Sequence, residues 1–452
     1  MKKLEKRAVF CLLLALLLVV GSGVFVFRFI RDGSSWASFP SNLHLYQDGF
    51  LKTGRILDRD GALLSASSNG QRIYNDSQTV RMATLHAVGD PAGNIGTGAQ
   101  TVFSAKLSGY NILTGVSSLG GGRDLYLTID ADVCAAAYTA LNGRSGTVGV
   151  YNYETGEIIC MVSSPTFDPE NPPDIDEDDE EYEGVYLNRL LSATFVPGSI
   201  FKLVTTAAAI DTIPDILERT FHCDGSLELS GTAITCPRAH GDLTLSEALA
   251  VSCNCTYGTL AEELGAATLN EYVDKTGLTS SLSVNGIPTA KGTFSFDDEE
   301  KAELAWSGIG QGQDMINPCS MMVYMGAIAN GGSAAVPQIL SRTTTQSGVP
   351  LDFYRTQSTG QMLSEETASL LSNMMRGNVV TNYGAGNFPD LDICAKSGTA
   401  EVGSDQSPHA WFAGFLRDSD NPLAFIVLVE NGGSGSLVAG RVANQVLQAA
   451  VK

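Results

Sequence analysis

Thr194-Phe195-Val196-Pro197-Gly198-Ser199-Ile200-Phe201-Lys202-Leu203-Val204-Thr205 holds a Pro-Gly break followed by an apolar run, rich in small residues, that continues to Ile210. Such a break before such a run opens a buried helix. Ser199 then falls in the first helical turn and Lys202 one turn on. Residues three apart share a helix face, so the amine can reach the hydroxyl. A serine hydroxyl is a weak nucleophile until a neighbouring base takes its proton. Lysine serves as that base only where burial or a second cation lowers its pKa. The helix N-terminus adds free backbone N–H groups and a positive dipole end, where an oxyanion can form. Alone, Ser-x-x-Lys arises by chance in most chains of this size. Its weight comes from the rest of the chain.

Working outward, the 452 residues suffice for one large domain and a smaller one. The formal net charge of −21 argues against binding nucleic acid or adsorbing to anionic lipid. A basic start (Lys2, Lys3, Lys6, Arg7) precedes an apolar stretch from Ala8 to Phe27, with Arg28 and Arg31 just beyond. The stretch is long enough to cross a bilayer and too long for the core of a cleaved signal peptide. It reads as an uncleaved anchor over residues 8–30, with residues 1–7 in the cytoplasm and the remainder outside.

The nine cysteines form neither a finger pattern nor a dense disulfide framework. Cys223 and Cys236 read as two buried free thiols, with a disulfide closing Asp224 to Thr235 as the alternative. With His222 and His240 they could supply a zinc site, but the spacing matches no standard finger. Cys253 and Cys255 have no histidine near them in sequence, so no metal is expected there.

Residues 33–50 read as an extended linker. Gly54-Arg-Ile-Leu-Asp-Arg-Asp60-Gly61-Ala-Leu-Leu64 predicts a hairpin turning at Asp60-Gly61. From Ser65 to Gly122 the polar, Gly-rich pattern suits short strands and loops better than packed helix. Beyond it come a strand over 124–129, a helix over 131–141 and a hairpin over 147–162 turning at Glu154-Thr155-Gly156. The acidic run from Asp174 to Glu183 repels itself and reads as a mobile surface loop. Thr244-Leu-Ser-Glu247 is a capping box opening a short helix. The helix runs into Val251-Ser252-Cys253-Asn254, and a second helical pattern follows from Thr259 to Leu264. Ser252 and Asn254 therefore sit on a turn, free to point into a cleft. The hydroxyl can relay a proton, and the amide has both donor and acceptor for a substrate amide. Gly308-Ile-Gly310-Gln-Gly312 has the wrong spacing for a dinucleotide loop and reads as a tight turn. Asp392 to Val402 reads as a strand holding Lys396-Ser397-Gly398-Thr399, where an internal glycine marks close approach of another backbone or a ligand. Two more strands (409–416, 423–430) and a helix (441–451) close an α+β, three-layer arrangement of antiparallel strands flanked by the first and last helices.

Ser-x-x-Lys, Ser-x-Asn and Lys-Ser-Gly-Thr thus occur in that order, about 50 and 140 residues apart. The trio resembles that of β-lactamases and penicillin-binding proteins. With Gly54 to Gly61, Asp124 to Asp130, Tyr151 to Pro165, Asn188 to Thr206, Gly308 to Pro318 and Lys396 to Gly414, the chain resembles a monofunctional (class B) penicillin-binding protein from about residue 50 onward. The resemblance implies a penicillin-binding transpeptidase fold over 123–452, a small β-rich pedestal over 31–122 and one transmembrane helix. It further implies a D,D-transpeptidase that cross-links peptidoglycan stem peptides and is acylated by β-lactams. Ser199 would be the nucleophile, Lys202 the acylation base, and Ser252 and Asn254 the proton relay and amide clamp. Lys396 and Thr399, within Lys396-Ser397-Gly398-Thr399, would bind the terminal carboxylate, and the N–H groups of Ser199 and Thr399 would form the oxyanion hole. No cofactor and no metal are expected. Two departures stand out: Ser397 where many members have threonine, and Cys253 where some relatives have aspartate. No segment suits a glycosyltransferase, so a membrane glycosyltransferase is the expected partner. A D,D-carboxypeptidase and a non-catalytic wall-assembly scaffold are the alternative readings.

Overall fold

The computed structural model describes residues 2–37, 46–47, 50–51, 53–68, 71–111, 115–116, 122–176, 179–403 and 406–452. Most of the linker expected over 33–50, the centre of the acidic run and part of the loop 403–408 lie outside the described residues. The first helix, α1 (Lys2–Ala37), runs past the expected anchor boundary. Its segment Leu4–Gly33 is long and apolar enough to cross a membrane.

Then follow β1 (Ile56–Leu57), β2 (Leu63–Ser68), β3 (Gln71–Tyr74), α2 (Gln78–Val88), β4 (Asp124–Leu127), α3 (Ala131–Leu141), β5 (Gly146–Asn152) and β6 (Ile158–Ser164). The chain continues through α4 (Lys202–Thr212), α5 (Leu245–Ala250), α6 (Asn254–Lys275) and α7 (Pro318–Ala329). It ends with β7 (Leu340–Thr344), β8 (Pro350–Phe353), α8 (Glu365–Asn378), β9 (Ile393–Ala400), β10 (His409–Leu416), β11 (Leu423–Val429) and α9 (Gly440–Ala450).

Two sheets organise these elements. The first has the order β8-β7-β4-β1-β2-β3, antiparallel except where β1 lies parallel to β4. Its hairpin turns at Asp60-Gly61 as expected, because Asp58 Oδ1 accepts from the Asp60 and Ala62 amides at 3.0 and 2.7 Å. The second is fully antiparallel, in the order β6-β5-β11-β10-β9. Its β10 and β11 are buried throughout, which a sheet covered on both faces requires. One face carries α3 and α9; α7 packs on the other, buried on nearly every side. The expected three-layer α+β arrangement is present.

One expectation fails. The stretch 65–122 contains a well-packed helix, α2, resting on α3 and β6. The Ser77 side chain caps it by accepting from the Val80 amide, and Val80, Ala83, Leu85, Ala87 and Val88 are buried. Tertiary burial outweighs the weak helix preference of its threonine and valine residues.

Candidate active site

The nucleophile candidate sits on a turn that other backbone holds in place. Gly198–Ile200 form a single 3-10 turn, and α4 begins at Lys202. Gly198 has φ +58°, and a Cβ there would lie 2.8 Å from the Thr399 carbonyl oxygen. Its amide donates to the Gly310 carbonyl at 2.7 Å, while a Cβ on Gly310 would strike the Gly198 oxygen at 2.1 Å. The Gly-rich segment 308–312 is therefore a seat for the Ser199 turn as well as a tight turn. Gln311 extends the seat by donating to the Thr399 carbonyl at 3.2 Å. Trp411 does so from the sheet, donating to the Val196 carbonyl at 2.9 Å.

Lys202 is fully buried. Its amine donates to the Ser252 carbonyl at 2.8 Å and to Asn254 Oδ1 at 2.7 Å, with Ser252 Oγ at 3.1 Å. Below it lies the Tyr257 ring, with its centroid 5.4 Å away. Burial pushes this amine down from the usual lysine range to about 7, while the Cys253, Cys236 and Cys255 thiols pull the other way. A neutral amine has two N–H donors and one lone pair. The two acceptor-only oxygens take both donors, and the lone pair is left for a hydroxyl proton.

The expected turn between two helices is present, but tighter than the sequence suggested. α5 closes its capping box through Thr244 and Glu247, and α6 begins at Asn254 itself, capped by the Cys253 sulfur. Between them Ser252 adopts φ +56°, a left-handed conformation that non-glycine residues hold only where the surroundings fix it. That conformation presents both its carbonyl and its hydroxyl to Lys202. Asn254 Nδ2 donates to the Thr235 carbonyl at 2.8 Å, leaving one amide N–H for a substrate.

Lys396 is an expected site residue in an unexpected setting. It is fully buried rather than an exposed strand lysine, and its amine reaches Ser252 Oγ at 3.2 Å and the Ser397 carbonyl at 2.9 Å. Burial first, and the neighbouring Lys202 second, hold it well below the usual lysine range. β9, which carries it, is the edge strand of the second sheet. Ser397 N–H points off that edge, donating to Tyr383 Oη at 2.9 Å. Strand geometry repeats every two residues, so Thr399 N–H points the same way, beside the Ser199 turn. Gly398 has no room for a side chain: a Cβ would lie 3.1 Å from both the Pro197 oxygen and Trp411 Cβ.

The fold thus gathers Lys202, Ser252, Asn254 and Lys396 around one hydroxyl, with Ser199 and Ser397 to Thr399 along the adjoining edge. Sequence reasoning missed Tyr383, Gln311, Tyr257 and Thr235. Each acts through contacts formed only in the fold, so none leaves a local motif.

Residues 146–448 match the model of the penicillin binding protein transpeptidase domain. The chain belongs to the penicillin-binding-protein transpeptidases. The transpeptidase is 26% identical to the peptidoglycan D,D-transpeptidase PbpA of Mycolicibacterium smegmatis over 99% of this chain and 98% of that one. It is 27% identical to PbpA of Mycobacterium tuberculosis over 78% of this chain and 76% of that one. Its fold is similar to the ceftriaxone acyl-enzyme complex of penicillin-binding protein A from Mycobacterium tuberculosis, with a TM-score of 0.79 at 23% identity. That likeness spans 90% of this chain and 99% of the other.

Cys223 and Cys236 are free, as expected, with Cys236 only half-buried, while the expectation for Cys253 needs correcting. The nine cysteines are free thiols, and Cys223 Sγ and Cys236 Sγ stand 3.8 Å apart, well beyond disulfide length. Cys253 is not remote from histidine, because the fold carries Cys223, Cys236 and His240 to it.

Proposed function

We propose that Ser199 is the acyl-accepting residue of a peptidoglycan D,D-transpeptidase, with residues 123–452 carrying the chemistry. The observation that supports this most directly is the buried Lys202 amine, whose two donors are occupied and whose pKa lies at about 7. Such an amine is basic enough to take a hydroxyl proton and neutral often enough to do so.

In this reading Lys202 removes the Ser199 proton as Oγ attacks the D-Ala–D-Ala carbonyl. The oxyanion is held by the N–H groups of Ser199 and Thr399. Ser252 gives its proton to the departing D-Ala nitrogen and takes one from Lys202, 3.1 Å away. An amine from a neighbouring stem attacks the acyl-enzyme, and the same relay runs in reverse. Asn254 clamps the substrate amide through its remaining N–H. Lys396 and Thr399 bind the terminal carboxylate, with Ser397 and Gly398 forming the wall. A β-lactam mimics the donor and stops at the acyl stage. The basic residues at the start of α1, ahead of its apolar stretch, support a cytoplasmic N-terminus with catalysis outside the membrane. A membrane glycosyltransferase then supplies the glycan strands.

The test uses the full chain in detergent micelles and a fluorescent penicillin. The wild type is expected to give a stable covalent band that Ser199→Ala abolishes, and stem-peptide assays are expected to give cross-linked dimers. An unlabelled, folded wild type would sink this reading. Monomers trimmed by one D-Ala, without dimers, would move it to a carboxypeptidase.

A further inference from the structure

Behind the Ser252-Cys253-Asn254 turn lies a second cluster of reactive side chains that the transpeptidase chemistry does not use. Three segments converge there. The ribbon pairing Thr220–Cys223 with Gly241–Thr244 puts Cys223 at its end, where His240 N–H donates to the Cys223 carbonyl at 3.0 Å. A second ribbon pairs Ser226–Leu229 with Thr232–Thr235, and the Cys236 amide closes it on the Gly225 carbonyl at 2.9 Å. The third segment is the start of α6, capped by Cys253. Cys223 and Cys253 are buried, and Cys236 and His240 are partly so.

We infer that Cys223, Cys236, His240 and Cys253 form a closed, four-coordinate site for a soft divalent cation of the zinc class. Their donor atoms all lie within 4.8 Å of one another. Zinc–sulfur bonds of about 2.3 Å and zinc–nitrogen bonds of about 2.05 Å set a tetrahedron with S···S edges of about 3.8 Å and S···N edges of about 3.6 Å. Cys223 Sγ and Cys236 Sγ are 3.8 Å apart, Cys236 Sγ and Cys253 Sγ 3.8 Å, and Cys223 Sγ and His240 Nδ1 3.5 Å. Three edges already have the required length, and the remaining contraction is at most about 1.2 Å by the same bond lengths. Three sulfurs and one imidazole favour zinc over the hard cations, and four protein ligands leave no open position for a substrate. Cys255 Sγ lies 3.6 Å from Cys236 Sγ but belongs to a neighbouring contact, with the Ile234 carbonyl.

The placement gives the cation a positioning role. Cys253 is the middle residue of the catalytic turn. The Asn254 amide donates to Cys236 Sγ at 3.2 Å, and the Asn254 side chain donates to the Thr235 carbonyl. A cation here ties both ribbons to the residue between Ser252 and Asn254, and so fixes the oxygens that hold Lys202.

The experiment uses the full chain in detergent micelles, purified without chelator. Elemental analysis is expected to give one equivalent of zinc per chain. After stripping, Co2+ is expected to restore thiolate-to-cobalt absorption with the intense d–d bands of tetrahedral coordination, displaced by added Zn2+. Cys223→Ser and His240→Ala are each expected to weaken Co2+ binding at least tenfold, while Cys134→Ala leaves it unchanged. The stripped chain is expected to acylate more slowly with fluorescent penicillin and to recover with Zn2+. Less than about a tenth of an equivalent of metal, with no cobalt spectrum from a folded chain, would overturn the site. So would unaltered cobalt binding in both ligand variants. Metal content and cobalt absorption do not depend on Ser199 chemistry. The wild-type stoichiometry stands even where a variant fails to fold. Acylation that is indifferent to bound metal would overturn the positioning role alone.

Discussion

Lys202 and Lys396 are two buried amines on opposite sides of one hydroxyl, at 3.1 and 3.2 Å from Ser252 Oγ. Two charges that close, both out of water, repel strongly, so the site favours at most one charged ammonium between them. Below pH 7 Lys202 holds its proton and cannot act as base. The acylation rate constant is therefore expected to rise with pH, half-maximal near about 7, and to fall roughly tenfold per unit in the acid limit. Stopped-flow acylation from pH 5 to 9 checks this; a flat profile would remove Lys202 as the base. Tyr383 is the second residue to probe. Its hydroxyl accepts from Ser397 N–H at 2.9 Å and lies 3.0 Å from Ser397 Oγ. Tyr383→Phe leaves that edge N–H without its partner, at about 1–3 kcal/mol. Acylation is expected to slow by about tenfold with a small loss of thermal stability. Ser-x-x-Lys, Ser-x-Asn and Lys-Ser-Gly-Thr could be picked out of the sequence as candidates because each motif is local. Lys396 could not be read as buried, since a strand lysine gives no local sign of what covers it.

The elements that position these residues divide in the same way. The capping box at Thr244, the helix over 131–141 and the hairpin at Gly156 follow short-range rules and were legible. The seat formed by Gly198 and Gly310 was not, because two turns over 100 residues apart meet backbone to backbone. Gly310→Ala combines a φ of +84° with a Cβ 2.1 Å from the Gly198 oxygen. It is expected to cost more than about 3 kcal/mol and to lose acylation even at temperatures where the chain stays folded. Urea melts and penicillin labelling of the same sample separate the two effects. Thr244→Ala removes only the cap of α5, at about 1 kcal/mol. It is expected to lower the urea midpoint while leaving β-lactam acylation within a factor of about three.

For the whole molecule, the sequence indicated a strand-rich pedestal before residue 123 and a catalytic body after it. Long-range pairing that no local pattern reveals joins them. Arg81 on α2 grips Asp168 with paired bonds of 2.7 Å, both side chains nearly buried. The bond to Arg81, ahead of smaller contributions, holds the Asp168 carboxyl below its usual range. Its stabilisation is thus present above the ordinary value of 3.8 and lost as pH falls through the lowered folded value. Asp168→Ala is expected to cost about 3–5 kcal/mol at pH 7. The gap to wild type in urea melts should narrow in acid; a gap below 1 kcal/mol at pH 7 would count against the pair.

The first sheet interleaves the two halves more deeply. β4, β7 and β8 come from beyond residue 122, and β1, β2 and β3 from before it, joined along the parallel pair β1–β4. Cutting the chain at the start of the family match would strip β4 away as well and leave β7 with a bare flank. Cutting just before β4 would bare β4 instead. Either fragment would offer a row of unpaired amides and carbonyls to its neighbours in solution, the template on which strands from separate molecules stack. Anyone transplanting the transpeptidase domain onto another anchor must therefore carry β1 to β3 with it, or supply a surrogate strand along that flank.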